Sequence, residues 1–181
     1  MTGAGRHAGW WWPVMLAVFA ALVSGCAGRA GETAPAASVQ LSAPEVTAGF
    51  ARRLSAARDE ARACGGERFA AAGPVAWNEG LADAARRQSV FLASTGRLSH
   101  TGRGGSTLEA RIRAAGYQPR AWAENVASGQ RSAGAAIEAW LDSPGHCRNI
   151  MNPAYTEVGV AAARGADDRL YWTLVLAAPM N

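Results

Sequence analysis

The sequence contains no lysine, so arginine alone supplies its 18 basic side chains. The formal net charge is only +4 at pH 7, and acidic residues are interspersed among the arginines. A nucleic-acid-binding surface requires basic residues concentrated on one face or along one helix. No such stripe is visible in the sequence, so we expect no nucleic-acid partner.

Histidine and cysteine are also scarce, with three of each in 181 residues. One histidine lies in the N-terminal leader, which leaves His100 and His146 in the mature protein. Together with Glu124, these two histidines are the leading candidates for any chemistry. The apolar run at residues 10–23 is too short to cross a bilayer, which requires a helix of about 20 residues.

Residues 1–25 have the features of an export signal. A weakly positive start precedes the apolar run, and the motif L-V-S-G-C that ends at Cys26 is similar to a bacterial lipobox. This motif predicts transfer of diacylglycerol to Cys26, cleavage before it and N-acylation, and several acyl chains anchor a protein stably. The alternative is an ordinary secretory leader, which would leave Cys26 as a spare cysteine in an exported protein.

Residues 26–43 are rich in small residues and proline, without an apolar period, and predict a flexible tether. The tether would connect the lipidated Cys26 to a single domain at residues 44–181. We therefore expect an extracytoplasmic, membrane-anchored lipoprotein, at the periplasmic face or in the outer membrane.

The domain at 44–181 is predicted to be α+β, with helices followed by strands. Apolar spacing predicts helices at 44–63, 78–94 and 132–141 and a short one that ends at Gly116. Gly65 and Gly66 are expected to stop the first helix. Ser106-Thr107-Leu108-Glu109 fits a capping box, in which Glu109 bonds the cap and has no catalytic role. Extended runs at 122–126, 157–162 and 170–177 predict strands, the last two joined as a hairpin.

Four short motifs follow one another in the second half of the chain: L-S-H-T-G at His100, R-x-x-x-A-G-Y at Arg111, A-E-N-V-A-S-G at Glu124 and W-L-D-S-P-G-H-C-R-N-I-M at His146. Together they resemble the CAP superfamily, which includes cysteine-rich secretory proteins, antigen 5, plant pathogenesis-related proteins and bacterial SCP-domain proteins. The resemblance extends from about Phe50 to the C-terminus. It implies an α-β-α sandwich in which a small antiparallel sheet is covered by helices on both faces.

The resemblance also implies a binding cleft with two histidines and two glutamates. His100, Glu124 and His146 match three of the four, whereas Ser143 occupies the position of the second glutamate and Asp142 lies one place before it. Two neutral imidazoles can bind zinc, and a nearby carboxylate can ligate the metal or orient a histidine. Weak zinc binding by His100 and His146 is one hypothesis, and a purely structural role is the other. Neither requires a cofactor.

Other residues of these motifs are assigned supporting roles. Asn125 follows Glu124 on the opposite face of a strand, so we expect it to point away from the cleft and bond loop backbone. Arg111, Gly116 and Tyr117 match the family motif and are interpreted as structural.

Cys64 and Cys147 remain once Cys26 is lipidated. Two cysteines in an exported domain favour a disulfide, and the resemblance to bacterial CAP proteins implies the same pairing. The bond would hold the predicted turn S-P-G-H-C-R-N-I around His146 against the end of the first helix. A catalytic Cys147 thiolate beside His146 is the alternative, because Cys–His pairs form nucleophiles.

The sequence is compatible with three functions. The favoured hypothesis is a non-enzymatic envelope module that binds a lipid, a sterol-like molecule or another envelope ligand, a ligand class implied by the family. The second is a metal-dependent hydrolase in which Glu124 acts as general base, although the missing second glutamate argues against it. The third is a purely structural envelope protein.

Overall fold

The structure, a computed structural model, describes residues 44–180. Its helices are Pro44–Arg58 (α1), Glu79–Thr95 (α2), Leu108–Ala114 (α3), Ala133–Asp142 (α4) and Pro144–Met151 (α5). Its strands are Arg62–Cys64 (β1), Glu67–Phe69 (β2), Ala76–Trp77 (β3), Pro119–Ser128 (β4), Glu157–Arg164 (β5) and Leu170–Pro179 (β6). The predicted export signal, the predicted lipidation site at Cys26 and the predicted tether lie outside the described residues. Between residues 44 and 180, no helix has both the length and the apolar character needed to span a membrane.

Strands β3 to β6 form one sheet in the order β3-β5-β6-β4. β5 and β6 form the predicted hairpin, and β6 also pairs antiparallel with β4. An antiparallel sheet was expected, but the two-residue strand β3 runs parallel to β5. The backbone N–H groups of Ala76 and Asn78 need acceptors before α2 begins, and carbonyl groups of Thr156 and Val158 accept from them at 2.9 Å.

The sheet separates two helical layers and has apolar side chains on both faces. Trp172, Leu174 and Leu176 of β6 pack in the core formed with α1, α4 and α5. Val175 and Ala177 of the same strand pack against α2 and α3. Successive residues of a strand point to opposite faces, so β6 contributes to both cores. This arrangement confirms the predicted α-β-α sandwich.

Helix α2 packs very closely on β5 because the strand presents Gly159 to it. A Cβ at Gly159 would lie 2.1 Å from the backbone nitrogen of Ala82, so no larger residue fits there. The helix begins after Asn78, whose side-chain oxygen accepts from the N–H of Leu81 at 3.2 Å. It ends at Gly96, which adopts the left-handed conformation with φ 65°. Both ends match the sequence prediction.

Helix α1 ends at Arg58, so the predicted extension to Ala63 is wrong. The Arg58 side chain is fully buried and donates to five main-chain carbonyl groups, which fixes the end of the helix in the core. The chain then forms the β1–β2 hairpin, and Gly65 makes its turn with a φ of 66°. Gly65 and Gly66 therefore turn a hairpin instead of stopping a helix.

The segment around His146 is the helix α5, although the sequence predicts a turn there. Pro144 occupies its first turn, where a proline is well tolerated because the N–H that it lacks would have no partner within the helix. The Pro-Gly pair therefore opens a helix in this protein.

Helix α3 is capped by Thr107 and not by Ser106. The Thr107 hydroxyl accepts a hydrogen bond from the backbone N–H three residues later at 3.2 Å. Glu109 pairs with Arg113 at 2.9 Å, one turn further along the helix, so it does not reach back to the cap. A glutamate four residues before an arginine forms a favourable pair on a helix, which explains the difference from the predicted capping box.

Candidate functional site

His100 lies in the loop that follows α2, and 61% of its side chain is exposed. The side-chain amide of Gln88 donates to the carbonyl of Ser99 at 2.6 Å and fixes the preceding backbone. Gly102 has no room for a side chain, because a Cβ there would lie 2.7 Å from Oε1 of Gln88 and 2.9 Å from Nη1 of Arg111. The S-H-T-G motif thus packs the loop tightly against α2 and α3, which positions His100.

Glu124 lies on β4, at one edge of the sheet, and its side chain is only 2% exposed. Its Oε1 lies 2.9 Å from Nδ1 of His100. Its Oε2 accepts a hydrogen bond from Nη2 of Arg111 at 2.6 Å. A carboxylate can be buried in its ionised form only with such partners. Both oxygens are engaged, and one of them orients the imidazole of His100.

Arg111 belongs to this site, although the sequence motifs alone assign it a structural role. Its side chain is 5% exposed and carries the charge that balances Glu124. It also donates to the carbonyl oxygens of His100 at 3.4 Å and of Ser106 at 3.0 Å. A buried carboxylate requires a counter-charge. That requirement is the one signal that could have identified Arg111 from the sequence.

His146 lies on α5, in the layer on the other face of the sheet. Its carbonyl accepts a hydrogen bond from Nδ2 of Asn125 at 3.0 Å, and Oδ1 of Asn125 accepts from Asn149 at 2.8 Å. Asn125 therefore fixes the backbone of α5 beside His146. Its side chain points to the face opposite Glu124, as predicted, but it bonds a helix and not a loop.

A disulfide joins Cys64 to Cys147, whose Cα atoms are 5.4 Å apart. This is the predicted pairing, and it links the β1–β2 hairpin to α5. The bond leaves no thiolate at Cys147, so the cysteine-nucleophile alternative has no reactive group.

The two histidines have pKa values shifted in opposite directions. The hydrogen bond with Glu124 raises the pKa of His100, an effect that outweighs partial burial and the charge of Arg111. Partial burial lowers the pKa of His146, and the charge of His100 lowers it further. The second effect means that the two imidazoles are close enough to interact. Between the two pKa values, the cleft contains a protonated His100 and a neutral His146.

Ser143 lies where α4 ends and α5 begins, and its backbone N–H donates to the carbonyl of Trp140 at 3.3 Å. Its side chain makes no capping hydrogen bond to α5. The structure thus brings His100 and Glu124 into direct contact, with His146 near them. Ser143 remains a predicted cleft residue.

A metal site would have few ligands in this cleft. Nowhere in residues 44–180 do three or more His, Cys, Asp or Glu side chains form a group that could hold a metal ion. Both Glu124 oxygens and Nδ1 of His100 are engaged, which leaves Nε2 of His100 and the ring of His146 as the predicted ligands. A catalytic zinc normally has three protein ligands. Weak zinc binding by the two histidines remains a prediction.

The profile of the CAP family, described as the Cysteine-rich secretory protein family, matches residues 53–176, which is more than half of the chain. This chain belongs to the CAP family. Among similar proteins, protein YkwD of Bacillus subtilis (strain 168) is 26% identical over 134 residues, covering 74% of this chain and 50% of YkwD. The chain therefore spans half the length of that relative.

Solved structures share the CAP fold at low sequence identity. An outer surface protein from Borrelia burgdorferi has a TM-score of 0.62 and 16% identity, covering 80% of this chain and 99% of that protein. An extracellular protein containing a SCP domain from Bacillus anthracis str. Ames has a TM-score of 0.54 and 21% identity, covering 75% of this chain and 43% of that protein. At these identities the similarity establishes the fold and leaves the activity to be argued from the site.

Proposed function

We propose that this CAP-domain chain is a lipid-anchored protein outside the cytoplasm, which binds an envelope ligand or partner without catalysing a reaction. The lipobox that ends at Cys26 supports the anchor. The two solved relatives, described as outer surface and extracellular proteins, support the location. The Cys64–Cys147 disulfide agrees with an oxidising compartment.

The binding proposal rests on the engagement of both Glu124 oxygens. A general base needs an oxygen that can accept a proton from water or substrate. Here Oε1 lies 2.9 Å from His100 and Oε2 lies 2.6 Å from Arg111, so the carboxylate acts as a positioning group. It leaves Nε2 of the exposed His100 to donate to a ligand, and the raised pKa keeps that donor charged to higher pH. A lipid, a sterol-like molecule or another envelope compound with an oxygen acceptor fits this donor.

A metal-dependent hydrolase is the second candidate, and the nearness of the His100 and His146 rings favours it. Nδ1 of His100 lies 2.9 Å from Glu124, which leaves Nε2 of the neutral imidazole free to bind a metal. His100 and His146 would hold the metal, which supplies an activated water when bound. The small number of ligands weighs against this candidate.

Retention of envelope compounds tests the proposal. Full-length protein in neutral detergent is incubated with envelope extract, and both retained and released compounds are identified by mass spectrometry. The wild type is compared with His100→Ala/His146→Ala and with the exposed-surface control Arg120→Gln. We expect the wild type and the control to retain a compound intact and the double variant to lose it. A zinc-stimulated cleavage product would favour the hydrolase, and equal retention in all three would assign the histidines a structural role.

The anchor has its own test. The mass of the N-terminal peptide from membrane-extracted protein is expected to include the acyl groups on Cys26, and Cys26→Ala should move the protein to the soluble fraction. An unmodified N-terminus on the wild-type protein would contradict lipidation.

A further inference from the structure

A groove between α2 and α3 encloses a cavity of about 550 Å³. We call it the arginine groove because four arginines line it: Arg86 and Arg87 from α2, Arg103 from the loop before α3, and Arg111 from α3. Cavities of roughly 300–1,000 Å³ hold small organic ligands. The arginine groove is therefore large enough for such a ligand, and its lining is rich in hydrogen-bond donors.

Two of the arginines share one acidic partner. Arg87 lies 2.8 Å from one oxygen of Asp83, and Arg86 contacts the other oxygen of the same carboxylate. Both guanidinium groups are partly exposed, with 41% of the Arg86 side chain and 50% of the Arg87 side chain accessible. Asp83 can neutralise only one of the two charges, so this side of the groove has one positive charge in excess.

Arg103 supplies a second charge in excess. Its guanidinium lies 5.9 Å from the centre of the Phe91 ring. Throughout residues 44–180, no carboxylate pairs with it. Arg111 is balanced by Glu124. Four guanidinium groups are thus accompanied by two carboxylates, which leaves a surplus of two positive charges around the groove.

Arg111 adds a buried donor without an acceptor. Its Nε is buried and has no hydrogen-bond partner in the described part of the chain, although Nη1 and Nη2 are both bonded. Unpartnered buried donors are uncommon in folded proteins and call for an explanation. Because Arg111 lines the groove, a negative charge bound there would act through space on this unbalanced edge of the guanidinium.

The remaining lining is apolar. Val90 of α2 is 36% exposed, which is unusual for a large apolar side chain in this protein, and Ala110 and Ala114 of α3 lie across from it. An inorganic ion alone would leave these side chains in contact with water. A ligand with both an anionic group and a small organic part would use the whole lining.

We propose that the arginine groove binds a small organic phosphate. The phosphate contacts Arg87 and Arg103, and the organic part packs on Val90. A phosphate monoester carries about −1.5 to −2 charges at pH 7, which matches the surplus of two. Guanidinium groups present paired donors that fit phosphate oxygens. A carboxylate, with one charge, leaves half of the surplus unbalanced. The phosphate belongs either to a soluble compound or to a phospholipid headgroup, and the chemistry of recognition is the same for both.

Calorimetric titration of the full-length protein in neutral detergent, at pH 7 and low salt, tests this site. The probes are inorganic phosphate, phenyl phosphate and dihexanoyl phosphatidic acid. We expect about one equivalent of phenyl phosphate to bind, more tightly than inorganic phosphate because the ring packs on Val90. Arg87→Gln/Arg103→Gln should weaken binding at least about tenfold, since two charge-assisted contacts are lost.

The matched control is Arg68→Gln/Arg120→Gln, which removes the same charge from two exposed positions outside the groove. This variant should bind phenyl phosphate within about threefold of the wild type, as expected for charges screened by solvent. Equal loss in both double variants, or no binding of phenyl phosphate by the wild type at millimolar concentration, would overturn the proposal. Circular dichroism checks that all variants fold. If the double variant does not fold, Arg103→Gln alone replaces it, because this substitution leaves both Asp83 contacts intact.

The third probe distinguishes the two sources of phosphate. Tighter binding of the short-chain phosphatidic acid than of phenyl phosphate assigns the groove to a lipid headgroup. Equal or weaker binding assigns it to a soluble organic phosphate.

Discussion

Each helical layer contains one buried arginine, and the two arginines have different partners. Arg58, in the α1 layer, is fully buried and donates only to main-chain carbonyls, at Ala72, Gly73, Ile150, Asn152 and Tyr155. Arg111, in the α3 layer, is paired with the carboxylate of Glu124 and bonds the backbone of the His100 loop. The first binds neutral groups from distant segments, and the second binds a charged one.

This difference separates the part of the molecule that stabilises the fold from the part that forms the site. Arg58 joins α1 to the end of α5 and to the segments around residues 72 and 155, so it connects parts of the chain that no strand pairing connects. Its burial lowers its pKa, but a guanidinium remains charged in proteins. Arg111 holds the Glu124 carboxylate in place, which in turn orients His100. Four predictions test this comparison.

Replacing Arg58 should have the largest effect. Arg58→Met leaves five carbonyl groups without this donor, two of them in fully buried hydrogen bonds, and we expect the free energy of unfolding to fall by about 4 kcal/mol. Urea denaturation followed by tryptophan fluorescence measures the loss. Arg58→Lys, which keeps the charge but has fewer donors, should recover part of it. A loss below about 1 kcal/mol in the Met variant would contradict the structural role of Arg58.

Removing the disulfide affects the same layer. Cys64→Ala/Cys147→Ala should lower the free energy of unfolding by about 3 kcal/mol, because the bond closes a loop of 83 residues. The wild type under reducing conditions should match the double variant in the same denaturation experiment. If reduction changes the wild type and the double variant equally, the effect does not come from this bond.

Arg111 should differ from Arg58 in whether a second substitution restores stability. Arg111→Met leaves the Glu124 charge buried and unpaired, with an expected loss of about 3 kcal/mol. Arg111→Met/Glu124→Leu removes both charges and should regain most of that loss, whereas no single partner exists whose replacement could compensate Arg58→Met. A double variant less stable than Arg111→Met would contradict this view of the pair.

The smallest expected effect is on pH dependence. The raised pKa of His100 stabilises the fold below the unfolded value of about 6.5, and this contribution disappears as the pH rises through the folded pKa. Glu124→Gln should lower the pKa of His100 and flatten that fall in stability. NMR titration of the His100 ring measures the shift, with the exposed Glu138→Gln as control. An unchanged His100 pKa in Glu124→Gln would show that the carboxylate does not hold the imidazole.

The pKa of His146 is shifted in the opposite direction from that of His100, so the contributions of the two histidines to stability can be measured separately. Its lowered pKa means that its contribution to stability is present above about pH 6.5 and disappears as the pH falls through the folded pKa. Measuring stability against pH in His146→Asn therefore isolates the contribution of His100.

The sequence was sufficient for those elements whose boundaries depend on local residues. Asn78 and Gly96 bound α2 by capping and by a left-handed turn, and the β5–β6 hairpin follows from two apolar runs around a polar loop. The end of α1 could not be predicted in this way, because apolar spacing continues beyond Arg58. What ends the helix is the burial of the Arg58 side chain among carbonyls that come from residues up to 97 positions away.

The candidate residues of the site were predicted from the sequence, but the contacts between their side chains were not. The motifs identify His100, Glu124 and His146 as candidates, and the structure brings the first two into contact. The role of Arg111 depends on a side-chain contact between α3 and β4, which local sequence does not encode. The absence of a third metal ligand could not be predicted from the sequence either. It follows from the bonds that both Glu124 oxygens make in the folded protein, with His100 and Arg111.

Adjacent residues of β4 connect the two layers at the edge of the sheet. Glu124 reaches Arg111 and His100 on one side, and Asn125 reaches the backbone of His146 on the other. Because side chains alternate along a strand, one inserted or deleted residue upstream in β4 would exchange these two faces. The cleft should therefore tolerate length variation in the loops before and after β4 far better than inside it. Insertions and deletions within β4 should therefore be among the changes that disrupt this protein most.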